Sequence, residues 1–269
     1  KHPASGGHRT LLHAPCAGAV EMARGLTLQP RADGVSAVWQ TTDSITGQVV
    51  LLLGDAANAA AVVDCGLPDF DVSHVVCVAS RRNALSLEAR RIHGRAVELQ
   101  AFSMSDWMRP DDKVDVAADL ADPLAALELA VASGGRPAAA ADPEATRAVL
   151  VHCDLGHNRA PALTLAFLVQ SGLSLREAYR HVLRVRPGVD PLPPYRQGLR
   201  AYELQTRGSS TISGEEPFAM HISELIGLVE QKGQTGDCNA LDEAFEDALN
   251  MRASSIEALL QEMPPAVKL

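Results

Sequence analysis

No apolar run in this sequence approaches the roughly 20 residues that a membrane-crossing helix needs. The chain therefore reads as soluble and intracellular, cytoplasmic in the first instance, with a mitochondrial location as the alternative. Cysteine is scarce. There are 5, an odd number with no CxxC pairing, so neither a disulfide framework nor a zinc site is expected. Cys16, Cys65, Cys77 and Cys238 read as small buried hydrophobes. His13 and Cys16 have metal-like spacing, yet no second pair follows them, and no metal or cofactor is expected. Internal repeats are absent. Acidic residues are missing from Lys1 to Val20, a faintly transit-peptide-like start that is nevertheless poor in Arg. Positive charge is scarce at the other end, where residues 215–269 hold 3 Lys+Arg against 11 Asp+Glu. That imbalance makes nucleic acid an unsuitable partner for the tail.

What is present is a chain with 46% apolar residues, enough for a substantial core. Its most informative segment runs from Arg147 to Pro161. Ala148 to Val151 read as a short buried strand, and Ala160 to Val169 read as a helix with Pro161 in its first turn. The loop from Cys153 to Arg159 therefore meets a helix N-terminus. Unpaired N–H groups and the positive end of the helix dipole favour a bound oxyanion there, and a thiolate over a thiol. Cys153 is the candidate nucleophile. Arg159 supplies a planar fork suited to a phosphoryl group in its transition state.

His152-Cys153-x-x-Gly156-x-x-Arg159 resembles the HCxxGxxR signature of cysteine-dependent phosphatases, the dual-specificity protein phosphatases above all. Other segments agree in order. Leu51 to Ala59 resembles the family's opening "LxLG…A" strand and helix, and Val72 to Ala79 resembles its "ITHVLNV" strand. Ser174 to Tyr179, Arg186-Pro187 and the stretch from Pro194 to Glu203 resemble the closing helix pair. The likeness spans roughly residues 46–206. It implies a phosphate loop in which N–H groups of Asp154, Leu155, Gly156, His157 and Asn158, together with Arg159, hold the phosphate. His152 orients that loop by hydrogen bonding rather than acting as a base.

The resemblance also implies a general acid, normally an Asp on a loop after a strand. Residues 95 to 102 read as such a strand, and Asp106 is the candidate by position, with Asp111 and Asp112 as rivals. Asp106 precedes the cysteine by 47 residues, a longer interval than the family keeps. A surface insertion over Gly134 to Pro143 accounts for the surplus. Ala160 is a second departure, because the family usually has Ser or Thr there to help the thiolate leave. Loss of that hydrogen bond costs on the order of 1.5–3 kcal/mol, which slows the second step about tenfold to a hundredfold. Asp154 adds negative charge beside the nucleophile and disfavours heavily charged substrates. With Asp154, His157 and Asn158 in place of lysines, phosphoprotein is the expected substrate. Arg176, Arg180 and Arg184 share one helical face with His181, read first as a solvated face and second as a basic stripe for an acidic ligand.

The expected fold is α/β, a central, mostly parallel sheet flanked by helices, with a helical C-terminal extension. Its divisions are an N-terminal extension over 1–45, a phosphatase-like domain over 46–207, a Gly- and Ser-containing linker over 208–216, and an acidic amphipathic helical tail over 217–269. In the tail, Phe218 to Val229 and Leu241 to Met263 carry helical spacing, with faces that either fold back or dock on a protein partner. The function this implies is hydrolysis of phosphomonoesters through a phosphocysteine intermediate. The alternative is a weak or inactive phosphatase-like domain that serves as a scaffold subunit.

Overall fold

The computed structural model describes residues 35–43, 47–91, 94, 97–105, 112–133, 146–186 and 188–212. Five strands form one sheet in the order β1 (Ser36–Asp43), β2 (Gly47–Gly54), β5 (Thr146–His152), β3 (Phe70–Cys77) and β4 (Glu98–Ala101). β1 pairs antiparallel with β2, and every other neighbouring pair is parallel. The expected α/β sheet is thus present.

The interior strands are nearly unbroken apolar runs because helices cover both sheet faces. Along β2, Val49, Leu51 and Leu53 enter one core, and Val50 and Leu52 enter the other. In β5, Val149 and Val151 join the first core, while Ala148 and Leu150 join the second. α1 (Ala56–Asp64) and α2 (Arg81–Arg91) close the second face, which takes in Val62, Val63 and Leu87. The short α3 (Val116–Asp119) and α4 (Ala121–Ala132) cover the first face with α5 (Arg159–Gln170), α6 (Leu175–Val185) and α7 (Pro193–Arg207). Helix starts follow local chemistry. Asp55 with Asn58, and Ser174 with Glu177, form capping boxes on α1 and α6, while α7 opens on Pro193-Pro194 and stops at Gly208, whose φ is +75°.

Four expectations change. The domain starts before residue 46, because Ser36–Asp43 is a strand of the sheet and buries Val38. The chain after 207 is not yet a linker at 208–212: Ile212 is buried, and Thr211 N–H and Oγ1 donate to Glu203 at 2.8 and 2.7 Å. Cys65, at the C-terminal end of α1, is exposed, whereas Cys77 is buried. The 95–102 strand is narrower than expected, covering Glu98–Ala101.

The Arg176 face is partly consumed by packing. Arg176 donates from Nε to Thr211 O at 3.0 Å, and His181 Nε2 lies 2.7 Å from Val38 O, so neither is a free member of a basic stripe. Burial pushes the His181 imidazole below its ordinary range, with the Val38 bond opposing and the Arg184 charge adding to the shift. Among the described residues no helix is long and apolar enough to cross a membrane. The N-terminal extension, the Gly134 to Pro143 insertion and the acidic tail lie outside the described residues.

Candidate active site

β5 is the middle strand, and the chain leaves its carboxyl end between β2 and β3, where open α/β sheets carry their sites. The exit is tied on both sides. Val78 N–H donates to His152 O at 2.9 Å, and Ala56 N–H donates to Asp154 O at 3.1 Å.

Cys153, Asp154, Leu155, Gly156, His157 and Asn158 form the loop between β5 and α5, and Arg159 is the first residue of α5. Cys153 is 2% exposed, and its Sγ accepts the Gly156 N–H at 3.2 Å, so the loop curls back over the sulfur. Gly156 is required twice. Its φ is +71°, and a Cβ there would stand 2.6 Å from Gly54 O and 2.5 Å from the Arg186 guanidinium.

Arg186 holds the outside of the loop. Its Nε donates to Gly156 O at 2.9 Å and its guanidinium to Leu155 O at 3.2 Å. Burial lowers the Arg186 pKa, with the charges of Asp55 and Cys153 opposing, which puts the guanidinium in electrostatic reach of the sulfur. The far side of the loop is tied to the segment before α7: Asp190 N–H donates to His157 O at 2.7 Å, and Leu192 N–H donates to Asn158 Oδ1 at 2.9 Å. Leu155 and His157 side chains are exposed at the rim.

The His152 ring is buried. Burial lowers its pKa to about 4, against weaker opposing effects from the Cys153 carbonyl and the Asp154 and Asp55 charges. The ring is therefore neutral at physiological pH, and Nδ1–H donates to Cys153 O at 3.2 Å. The bond ties the end of β5 to the first residue of the loop.

The Asp154 side chain is not loose charge beside the sulfur. Oδ1 accepts the Ser80 N–H at 3.0 Å, the Ser80 hydroxyl at 3.1 Å and Asn83 Nδ2 at 2.7 Å, while Oδ2 pairs with the Arg159 guanidinium at 2.7 Å. Desolvation works to raise the Asp154 pKa. The bonds from Ser80, Arg159 and Asn83 and the Arg159 charge outweigh it and hold the carboxyl below its ordinary range. Cys77, beside this cluster on β3, has its thiol pushed up by burial, with the Ala79 backbone bond opposing and the Asp154 charge adding to the rise.

Asp106 and Asp111 lie outside the described residues, and Asp112 is exposed. The chain on either side of 106–111 rests on one helix. Tyr195 Oη donates to Ser105 O at 2.8 Å, and Val114, buried, meets α7 at Gly198, where a Cβ would stand 2.4 Å from Val114 O. Ala160 is fully buried. Arg186, Ser80 and Asn83 were not sequence candidates for the site. Their partners lie 30 to 74 residues away, so no local pattern points to them.

Residues 139–205 match the family described as "Dual specificity phosphatase, catalytic domain". Over that stretch the chain is similar to dual-specificity phosphatases. It is 34% identical to human dual specificity phosphatase 28 over 108 residues, covering 40% of this chain and 54% of that one. It is 35% identical to rat protein phosphatase Slingshot homolog 3 over 101 residues, 33% of this chain and 16% of the relative. The match thus spans about half of the first relative and far less of the second. The crystal structure of human DUSP28 superimposes with a TM-score of 0.45 at 25% identity, covering 66% of this chain and 97% of that one.

Proposed function

We propose that this chain is a cysteine-dependent phosphomonoester hydrolase of the dual-specificity type, acting on phosphoprotein. The observation that carries the reading is the enclosure of Cys153 Sγ by its own loop, at the N-terminus of α5 and one short loop from the buried Arg159.

The Cys153 thiolate attacks phosphorus in line with the leaving oxygen. Loop N–H groups and the Arg159 guanidinium hold the non-bridging oxygens as charge builds on them. Asp106 gives its proton to the leaving alkoxide or phenoxide as the P–O bond breaks, and a phosphocysteine remains. Water then attacks phosphorus, Asp106 takes its proton, and the S–P bond breaks to release phosphate and the thiolate. No step calls on a metal ion.

A small aryl phosphate and a phosphopeptide, assayed with wild type, Cys153→Ser and Asp106→Asn, test this. Wild type turns over both substrates, Cys153→Ser falls to background, and Asp106→Asn loses about 10²- to 10⁴-fold. Turnover that survives Cys153→Ser overturns the reading.

Ala160 favours a second reading, because the helix position after Arg159 carries no hydroxyl to assist thiolate departure. In that reading the domain binds phosphorylated partners as a scaffold, with residues 217–269 as the docking segment. Inactive wild type that still binds phosphopeptide supports it.

A further inference from the structure

We propose that Arg81 and Arg82, the first two residues of α2, are specificity residues that recognise an acidic stretch beside the phosphorylated residue of a protein substrate. The proposal rests on the phosphatase reading of the Cys153 loop and adds to it the class of substrate selected.

The first argument is placement. Ser80 immediately precedes Arg81, and Asp154 immediately follows Cys153. The Ser80 N–H and hydroxyl both reach Asp154 Oδ1, at 3.0 and 3.1 Å, and Asn83 of the same turn reaches it at 2.7 Å. The first turn of α2 is thereby fastened to the phosphate loop. Bond lengths along this path put the Arg81 Cα within about 16 Å of the Cys153 Cα, a span covered by about four or five extended residues. An acidic side chain a few positions from the phosphoresidue comes within reach of a long arginine.

The second argument is availability. Arg81 and Arg82 are exposed, and neither has an ion-pair or hydrogen-bond partner among the described residues. The opposite end of the same helix differs. There Arg90 pairs with Asp64, and Arg91 pairs with Glu88 at 2.7 Å.

A third argument is cost. Helix N-termini carry partial positive charge and disfavour cations. The first turn of α2 holds two arginines and no acidic residue. The Asp154 carboxylate at that end is itself paired with Arg159, so two further cations there break a local rule, as functional positions do.

Charge inside the loop points the same way. Inside the site Arg159 pairs with Asp154 and Arg186 is bonded to the Gly156 and Leu155 carbonyls, so both guanidinium groups are committed to the loop. Attraction of an acidic segment then falls to the exposed rim, where Arg81 and Arg82 stand. Leu155, exposed on the loop, offers an apolar contact but no charge.

The experiment compares kcat/KM of wild type and Arg81→Glu/Arg82→Glu on three substrates: a small aryl phosphate, a phosphopeptide with acidic neighbours, and the same peptide with neutral neighbours. Wild type prefers the acidic peptide, and raising the salt concentration reduces that preference. The double variant loses at least about tenfold on the acidic peptide while its aryl phosphate rate stays within about twofold. Arg81→Lys/Arg82→Lys keeps most of the preference. Should the charge reversal fail to fold, Arg81→Gln/Arg82→Gln gives the same comparison. An unchanged peptide preference, or an equal loss on all three substrates, overturns the proposal. The founding reading fails separately, by absence of Cys153-dependent aryl phosphate turnover. In that event the acidic-to-neutral ratio of peptide binding to the Cys153→Ser chain still decides the role of the two arginines.

Discussion

Asp154 Oδ2 lies 2.7 Å from the Arg159 guanidinium, a bond between the residue after Cys153 and the residue that closes its loop. The carboxylate cannot follow the arginine if it moves, because Ser80 and Asn83 hold its other oxygen. Arg159 is therefore aimed from within its own loop.

Asp154→Asn keeps the size of this side chain but turns a charge-assisted bond into a contact between two N–H donors. Activity on a small aryl phosphate is expected to fall about tenfold, the cost of one such bond at about 1.5 kcal/mol. The carboxyl sits below its ordinary range in the folded chain, so its contribution to stability is present above about pH 4 and is lost as pH falls through the lowered value. Denaturant titrations from pH 7 to pH 3 check this. The variant starts less stable at pH 7 and loses less on acidification than wild type does.

His152 provides a second window. Its folded pKa, about 4, lies below the ordinary value of 6.5, so the unfolded chain binds the proton first as pH drops. Stability is full above about pH 6.5 and declines toward pH 4, by up to roughly 3 kcal/mol from this group. Replacement by Asn, which keeps a donor for Cys153 O, is expected to flatten the pH dependence over that interval. A slope equal to that of wild type contradicts the assignment.

Ala160→Ser restores a hydroxyl at the second residue of α5. If thiolate departure limits turnover, a rapid-quench experiment on wild type shows a burst of the released aryl alcohol followed by a slower steady state. In the serine variant the burst shrinks and the steady-state rate rises about tenfold. A burst unchanged by the substitution shows that another step limits the rate.

Glu203 is fully buried on α7 and accepts from Leu175 N–H at 2.7 Å, Thr211 N–H at 2.8 Å and Thr211 Oγ1 at 2.7 Å. Glu203→Ala strands these donors and is expected to destabilise by about 2–4 kcal/mol, read as a lower midpoint in urea. Cutting the chain between Arg207 and Thr211 produces part of the same loss, because the segment supplies two of the donors.

The elements that could be read in advance are those whose signal is local. The apolar runs of β2 and β5, the turn at Pro161 and the spacing from Cys153 to Arg159 all fall within short windows, and the fold places them as elements joined by one loop. β1 escaped because Ser36–Asp43 mixes Thr, Gln and Asp with its apolar residues, as an edge strand with one paired side can. Cys65 escaped because exposure is decided by what packs above a residue, not by its type. Asp154 was legible as a charge, yet its neutralising partner needed the loop geometry and its other contacts needed Ser80 and Asn83, more than 70 residues earlier. Asp106 rests on position alone, since the segment 106–111 is outside the described residues.

The loop is clasped at four points by Ala56, Arg186, Asp190 and Leu192 before any ligand arrives. An oxyanion entering it orders few new torsions, so little conformational entropy is lost at that moment and binding draws mainly on enthalpy. The same preformed cradle makes phosphate or vanadate a folding ligand. At a hundred times its dissociation constant, such an ion raises the unfolding free energy by about 2.7 kcal/mol. A thermal melt with and without it is then a direct readout of loop occupancy, even in a chain whose nucleophile has been removed.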